Sequence, residues 1–392
     1  MQSDLSGRIG QFVTTTAQGE TTRAYVPRPL PPDPPLNLGA LMGLIAKADQ
    51  ALGRLDGMAT VLPSPSLFVY MYVRKEALLS SQIEGTQSSL SDLLLFENNE
   101  IPLAPFDDVQ EVSNYIAAMD HGLARLGAGF PLSLRLIREM HDVLLSAGRG
   151  SGKQPGEFRR SQNWIGGTRP GNARFVPPPP EKVMECLGDL ETFLHEREIY
   201  TPLLRAALAH LQFETIHPFL DGNGRLGRLL ITLLLCEEKI LHQPILYLSL
   251  YFKTNRARYY ELLQEVRELG NWETWIEFFL RGVVHAAEQG VSTAQRLIVL
   301  FQEDEKKIAV LGRPARSAMR LHTEFQRRPV LSVPAAAERL GMSQPTLQKS
   351  VEHLLDQGII QETTGKRRNR IYQYTRYLRI LDEGTEPITP AP

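Results

Sequence analysis

The segment 201–238 constrains the fold of this chain most, because it predicts two helices joined by a glycine-rich turn. Thr201 and Pro202 are typical of a helix start, since threonine caps the first turn and proline fits into it. Pro218 prevents this helix from continuing beyond His217. After the turn, leucines recur at helical spacing and predict the second helix. His217 is therefore expected where the first helix ends and the turn begins.

The turn between the two helices has the composition of an anion-binding site. Gly222, Asn223 and Gly224 can adopt positive φ, so that their backbone N–H groups converge. The second helix starts at once and directs the positive end of its dipole towards the same point. Arg225 and Arg228 project from neighbouring faces of its first turn. Together these residues predict a polyphosphate site.

Two side chains at the edge of this site add chemistry. Asp221 offers a hard oxygen ligand that suits a Mg²⁺ bound mostly by water and phosphate oxygens. His217 titrates near neutrality and can take the proton of an attacking hydroxyl, which contributes typically ~10²–10⁴-fold. A lone Gly-x-Gly loop or a lone histidine more often has a structural role. Seven fixed residue types within twelve positions favour a phosphoryl-type transferase instead.

Residues 217–228, His-Pro-Phe-Leu-Asp-Gly-Asn-Gly-Arg-Leu-Gly-Arg, resemble the signature of the Fic family without a departure. The resemblance implies a helical core that transfers AMP from ATP to a Ser, Thr or Tyr hydroxyl of a target protein or of itself. It makes His217 the general base and Asp221 the Mg²⁺ ligand. It assigns phosphate binding to Gly222, Asn223, Gly224, Arg225, Leu226, Gly227 and Arg228. Transfer of UMP, phosphate or phosphocholine remains open.

Residues 163–180 consist of two short apolar runs around a Pro-Gly-Asn turn, which predict a β-hairpin flap, with an irregular loop as the alternative. By resemblance, this flap docks the target segment through strand pairing. Its expected docking residues are Trp164, Ile165, Gly166, Gly167, Phe175 and Val176. Tyr260 is expected to line the nucleotide base, and core packing is an equally good interpretation of an aromatic residue at helical spacing.

Residues 80–85, Ser-Ser-Gln-Ile-Glu-Gly, resemble an inhibitory motif of the same family, Ser/Thr-x-x-x-Glu-Gly/Asn, which Gly85 completes. Ser80 and Glu84 are four residues apart and so share one helical face. The resemblance implies that Glu84 pairs with Arg228, which would otherwise hold the γ-phosphate, and thereby inhibits the enzyme in cis. It also implies that Glu84 can position water for the removal of AMP. A solvated glutamate at a helix end is the alternative.

The expected fold class is mainly α, a helical Fic core with a β-hairpin flap followed by a winged helix-turn-helix domain. The predicted segments are a proline-rich arm (1–36), a helical region with the inhibitory helix (37–105), the Fic core (106–285), a helical connector (286–312), the winged-helix domain (313–380) and a loose tail (381–392). The last domain shows helix, turn and helix over 333–355, then a basic turn over 365–370 between two short strands.

The basic turn could contact DNA, whereas acidic residues on nearby faces favour docking of a protein. A DNA-binding regulator with a nucleotide-sensing Fic-like core is therefore the alternative to a transferase. The whole chain has 43 Lys plus Arg and 44 Asp plus Glu, a net charge of −1 that argues against a generally basic nucleic-acid binder. The longest apolar run, 229–236, is too short to cross a membrane. Two cysteines exclude a disulfide framework and favour a cytoplasmic protein, and a homodimer stays open.

Overall fold

The computed structural model describes residues 5–61, 65–97, 104–366 and 370–387, which are mainly helical with two small sheets. The helices are α1 (Met42–Val61), α2 (Pro65–Ile83), α3 (Leu90–Glu97), α4 (Phe106–Gly127), α5 (Leu134–Leu144), α6 (Pro180–His195), α7 (Pro202–Ile216), α8 (Asn223–Glu237), α9 (Ser249–Thr254), α10 (Arg256–Leu269), α11 (Trp272–Ala309), α12 (Ala315–Arg327), α13 (Val333–Leu340), α14 (Gln344–Asp356) and α15 (Thr375–Asp382). The strands are β1 (Gln11–Ala17), β2 (Glu20–Val26), β3 (Val330–Ser332), β4 (Gln361–Glu362) and β5 (Ile371–Gln373). Among the helices so described, none has both the length and the apolar character that a bilayer crossing requires.

α7 and α8 lie at the centre of the core and carry the glycine-rich turn between them. Every residue of α7 from Leu203 to Ile216 is buried, and most of α8 is buried too. A helix that is apolar nearly all round must be covered on all sides. α4, α5, α6, α10 and α11 provide this cover, and the indole N–H of Trp275 on α11 donates to the carbonyl of Ala207 at 2.8 Å. The turn is thus held between two rigid elements.

The N-terminal arm contains a β-hairpin that its proline-rich composition did not predict. β1 and β2 pair antiparallel along their whole length. Gln18 and Gly19 join them with φ of 50° and 79°, the left-handed pair that a two-residue hairpin turn favours. Threonines at 14–16 and 21–22 supply β-branched side chains that suit strands. The extended arm that we expected describes only the proline-rich part after β2, and residues 1–4 lie outside the described ranges.

The flap at 163–180 has much less strand pairing than a hairpin. A single antiparallel bridge joins Ile165 to Phe175, where the N–H of Ile165 donates to the Phe175 carbonyl at 2.8 Å. The N-terminal hairpin extends the flap, because the N–H of Tyr25 donates to the carbonyl of Val176 at 2.9 Å. The prolines at 177–180 have no N–H and so cannot continue the ladder.

α11 crosses the boundary that we predicted at 285. Its 38 residues form one helix, about 57 Å long at 1.5 Å per residue, so the predicted connector is not a separate element. α12, α13 and α14 follow, together with a three-stranded sheet of order β3-β5-β4. The tip of the predicted basic turn, 367–369, lies outside the described residues.

The described part of the tail packs on the core and is not loose, contrary to our expectation. α15 continues to Asp382, beyond the predicted end of the domain at 380. The ammonium of Lys75 donates to the carbonyl of Glu383 at 2.9 Å, and the Gln82 amide donates to the carbonyl of Thr385 at 2.8 Å. Residues 388–392 of the predicted tail are outside the described ranges.

Candidate functional site

His217 ends α7 in the left-handed conformation, with φ 49° and ψ 59°. Such a conformation is uncommon for a residue other than glycine and costs free energy. Two hydrogen bonds hold it, one from the His217 N–H to the Phe213 carbonyl and one from Arg159 Nε to the His217 carbonyl, both 2.9 Å long. The buried guanidinium of Arg159 therefore holds the backbone of the residue that carries the imidazole.

The surroundings of His217 keep its imidazole neutral. Burial lowers the pKa of His217 to about 3, and the positive charges of Arg159 and Arg267 lower it too. An imidazole with this pKa carries no proton on its second nitrogen at neutral pH. The imidazole therefore has a free nitrogen that can accept a proton, but its pKa lies well below the near-neutral value that we expected from the sequence, so in this arrangement it is a weak base.

The residues of the predicted cradle differ in what they offer a ligand. Gly222 adopts φ 77° immediately before α8. The side chain of Asn223 is buried and exchanges two 2.9 Å hydrogen bonds with the backbone of Phe219, so it shapes the turn and leaves only its N–H for a ligand. Leu226 packs in the apolar core, and Gly227 faces the carboxylate of Glu214.

Arg228 is held by Ser80 and Glu84, two residues of the predicted inhibitory motif. Its Nε donates to the Ser80 hydroxyl at 2.8 Å, and its Nη2 donates to Glu84 Oε1 at 2.7 Å. A Cβ added to Gly224 would collide with the same Glu84 oxygen, so the carboxylate lies directly over the turn. Burial raises the pKa of Glu84, but the Arg228 guanidinium outweighs it and holds the pKa below its ordinary value. Glu84 is thus ionised and covers the predicted phosphate cradle.

Arg225 also has acidic partners, which the sequence did not indicate. Its Nη1 lies 3.0 Å from Glu111 Oε2, and its Nη2 lies 3.3 Å from Asp221 Oδ1. Glu111 is buried on α4, 114 positions away in the chain. This separation explains why no local pattern could identify Glu111 as the residue that orients Arg225.

A cavity of about 560 Å³ opens beside His217. The predicted flap residues that line it are Trp164, Ile165, Gly166 and Phe175, whereas Gly167 and Val176 do not. Tyr260 lines the cavity as predicted for a base-binding residue, with Tyr259 beside it. The other lining residues are Glu84, Arg174, Glu214, His217, Gly224, Arg228, Arg256, Leu263, Gln264 and Arg267. Of the predicted phosphate-binding residues, Gly224 and Arg228 line the cavity, so this part of the cradle shares one space with the imidazole and the flap.

Glu214 is a cavity residue that our sequence reasoning missed. It lies three residues before His217 on α7 and is only 6% exposed. Within the described part of the chain its Oε1 has no hydrogen-bond partner. Burial raises the pKa of Glu214 to about 7, although Arg228 acts in the opposite direction. The available signal was a lone acidic residue in an otherwise apolar helical segment.

His141 is a second missed residue, and it supports the turn from α5. Its ring stacks on Phe219 with the centroids 3.7 Å apart. Nδ1 accepts from the N–H of Gly156 at 2.9 Å, so Nε2 carries the proton and donates to the Asp221 carbonyl at 3.0 Å. Burial lowers the pKa of His141 to about 4, which keeps this tautomer neutral.

The donor set around Asp221 fits a Mg²⁺ that takes most of its ligands elsewhere. Asp221 Oδ1 already accepts from the N–H of Gly222 at 2.5 Å and lies near Arg225. Asp221 Oδ2 is the carboxylate oxygen that would bind the cation. Across the described ranges, no three or more His, Cys, Asp or Glu residues cluster as a metal site. One carboxylate oxygen suits Mg²⁺ when substrate phosphates and waters complete its octahedron.

Comparison with known proteins identifies the family models that match two parts of this chain and the fold that it shares. Residues 131–235 match the model of the Fic/DOC family, and residues 42–124 match the model of the Fic/DOC family N-terminal region. A solved Fic family protein from Desulfovibrio desulfuricans G20 superposes with a TM-score of 0.58 at 21% identity, over 87% of this chain and 97% of that one. The chain has a Fic fold.

The curated relatives are similar over part of their length. Protein adenylyltransferase Fic of Aedes aegypti is 31% identical over 201 residues, which are 50% of this chain and 37% of that protein. Protein adenylyltransferase fic-1 of Caenorhabditis elegans is 32% identical over 204 residues, with the same two shares. The match therefore spans little more than a third of each relative.

Proposed function

We propose that this protein is an adenylyltransferase that moves AMP from ATP to a Ser, Thr or Tyr hydroxyl of a target protein or of itself. One observation carries the proposal: the neutral His217 opens into the same cavity as the phosphate cradle at the start of α8. A general base and a phosphate site must share one space for this chemistry. The adenylyltransferases that share sequence with half of this chain support AMP as the transferred group.

In the proposed reaction, the target hydroxyl attacks the α-phosphorus of ATP. A bond forms between the hydroxyl oxygen and the α-phosphorus, the bond from the α-phosphorus to the bridging oxygen breaks, and pyrophosphate leaves. His217 accepts the proton of the attacking hydroxyl, which its low pKa allows at neutral pH. The N–H groups at the start of α8 and the guanidinium of Arg225 hold the phosphates. Cavity residues Trp164 and Phe175 lie where the target segment would dock.

Asp221 would hold the Mg²⁺ that accompanies ATP, and the ion would supply positive charge against the phosphate oxygens. His141 keeps the backbone at Asp221 in place through its 3.0 Å hydrogen bond. Arg225 is held by Glu111 through Nη1, and its Nη2 would turn from Asp221 towards the phosphates when ATP binds.

We further propose that Glu84 restrains this activity in cis. Its carboxylate holds Arg228 and lies over Gly224, where the terminal phosphate would otherwise bind. A charge-assisted bond between carboxylate and guanidinium is stronger than a neutral one and suits such a lock. Glu84 would also position water for the removal of AMP. Loss of AMP release from modified protein in Glu84→Gly would support this reverse role, and unchanged release would refute it.

The experiment that tests the transferase combines the protein with Mg²⁺ and ATP labelled on the α-phosphate, then measures the intact mass of the chain. Wild type and Glu84→Gly are compared with the same two chains carrying His217→Ala. We expect label in the Glu84→Gly protein and none when His217 is replaced. Parallel reactions with γ-labelled ATP and with labelled UTP distinguish AMP from phosphate and UMP. Label from γ-labelled ATP alone would identify a phosphotransferase instead.

We also propose that residues 313–380 form a winged helix-turn-helix domain that contacts DNA. The sequence of α13, a left-handed Gly341, α14 and a three-stranded sheet supports this arrangement. Gln344 and Thr346, in the first turn of α14, are exposed and polar, which suits a helix that enters a groove. Arg376 is paired with Asp304 on α11 and therefore contributes less positive charge for DNA binding. Binding of the full chain to a labelled duplex at low salt, weakening as salt rises, is expected. Binding to a protein alone would favour the docking alternative.

A further inference from the structure

Residues 383–386, here called the C-terminal strap, lie across the inhibitory helix α2 and the short helix α9. The strap is held through its backbone carbonyls, which accept from Lys75 at 2.9 Å and from the buried Gln82 amide at 2.8 Å. Lys253 on α9 donates to the carbonyls of Gly384 and Glu386. Thr385 is only 4% exposed, so the strap is packed as well as hydrogen-bonded.

The strap contacts α2 at the turn that carries the lock. Gln82, two residues before Glu84, is only 1% exposed and bridges the carbonyls of Thr385 and Ser88. The last turn of α2 is completed by hydrogen bonds from the Glu84 N–H to Ser81 and from the Gly85 N–H to Gln82. A helix end frays unless outside groups hold it. The last turn of α2 is therefore more stable when the strap is docked, because the Gln82 amide bonds to it.

The other end of the strap belongs to the C-terminal domain. It follows α15 directly, and α15 packs on α11 through the buried Tyr377. Glu383 receives both guanidinium nitrogens of Arg296 on α11 at 2.6 Å, a bidentate pair. Any displacement of α15 would also move the strap, because the strap begins at the residue after α15.

We propose that the strap connects the C-terminal domain to the lock: when docked it keeps Glu84 on Arg228, and when released it frees the last turn of α2 and so the phosphate cradle. This inference rests on the proposed transferase activity and names its regulation. A macromolecule that binds the C-terminal domain only when α15 is displaced would activate the enzyme by stabilising the released state. Such a macromolecule would bind at a site separate from the cavity and would not contact ATP.

The test uses Gly384→Ala in the full chain. Gly384 has φ 81°, which alanine adopts only with strain, and a Cβ there would lie 2.8 Å from Leu250 Cδ1 on α9, so the leucine would also have to shift while the strap stayed docked. Gly358→Ala is the matched control. Gly358 has a similar φ of 64° in the same C-terminal region, but a Cβ there would meet no atom within 4 Å. Both variants therefore impose backbone strain, and only one displaces the strap.

Two measurements decide the matter. Backbone hydrogen exchange at Glu84 and Gly85 should become at least several-fold faster in Gly384→Ala and stay unchanged in Gly358→Ala. Self-modification with ATP should rise in Gly384→Ala, and adding this change to Glu84→Gly should give no further rise, because the lock is already gone. Unchanged exchange at these two residues would overturn the inference, and so would gains that multiply in the double variant.

These outcomes are separable from the proposed function. If Glu84→Gly incorporates AMP while Gly384→Ala behaves like Gly358→Ala, the transferase stands and the strap does not control it. If no variant incorporates AMP, the transferase fails, and the exchange measurement still reports whether the strap holds the end of α2.

Discussion

Replacing Glu84 by glycine isolates the strength of the lock. The substitution removes one charge-assisted hydrogen bond to Arg228, 2.7 Å long, and uncovers the turn at Gly224. Hydrogen bonds to charged groups contribute about 1.5–3 kcal/mol. Because 32% of the Glu84 side chain remains exposed, water weakens the pair, and we use the lower part of that range, about 1.5–2 kcal/mol. Loss of this stabilisation of the locked state predicts a roughly 10- to 30-fold rise in the rate of self-modification, since each 1.4 kcal/mol is about tenfold.

Glu84→Gln is the matched control for this prediction, because it keeps the shape of the side chain and a hydrogen bond from the Arg228 guanidinium while it removes the negative charge. A partly exposed ion pair contributes about 0.2–1 kcal/mol, so its rise should be at most about 5-fold. The assay is the initial rate of AMP incorporation at saturating ATP, read by intact mass. A Glu84→Gly rate no higher than wild type would refute the lock. A Glu84→Gln rate equal to wild type would show that the charge does not matter to the lock, and equal rates for the two variants would show that the charge carries all of it.

Three further outcomes are expected. His217→Ala should lower the AMP-transfer rate by ~10²–10⁴-fold while ATP binding persists by calorimetry, and a retained rate would remove the base role. Because the pKa of His217 is about 3, protonation of this group should not lower the wild-type rate between pH 8 and pH 5. A fall in the rate with a midpoint near pH 6.5, absent from the residual rate of His217→Ala, would contradict the effect of burial on this pKa. Glu214→Gln should stabilise the fold at high pH, because a carboxyl whose pKa rises to about 7 on folding loses stability as pH rises from about 4.5 to 7. The gain in unfolding free energy, measured by urea titration, should grow from near zero at pH 4 to roughly 3 kcal/mol at pH 8, and a gain that does not vary with pH would disprove the shift.

Local patterns predicted the central helices well. α7 begins at Pro202 and ends one residue before His217, as Thr201-Pro202 and Pro218 indicate, and α8 follows the glycine-rich turn at once, as the spacing of its leucines indicates. These elements are long, strongly periodic and bounded by proline or glycine, so their signals lie within a few residues of one another. The geometry between Glu84 and Arg228 followed from the resemblance of two short motifs, not from spacing.

Other features depend on partners that are distant in the sequence. Glu111, which orients Arg225, and Arg159, which holds the His217 carbonyl, become informative only once the chain is folded. The flap at 163–180 was overestimated as a hairpin because the prolines that end it limit the ladder. The N-terminal hairpin was not predicted because the prolines of the arm favour an extended chain. The hairpin lies before them, in the threonine-rich strands and the Gln18 turn.

The continuity of α11 has a consequence for cooperativity. The helix carries core residues such as Trp275 and Phe279 near its start and Phe301, which packs on Tyr374 and Tyr377, near its end. Cutting the chain at 285 would therefore sever helical hydrogen bonds in mid-span and strip apolar surface from both halves. A shared helix of this kind couples the melting of the segments that it joins. Calorimetry of the full chain should show one transition for the two regions, and they should not behave as independently folding modules.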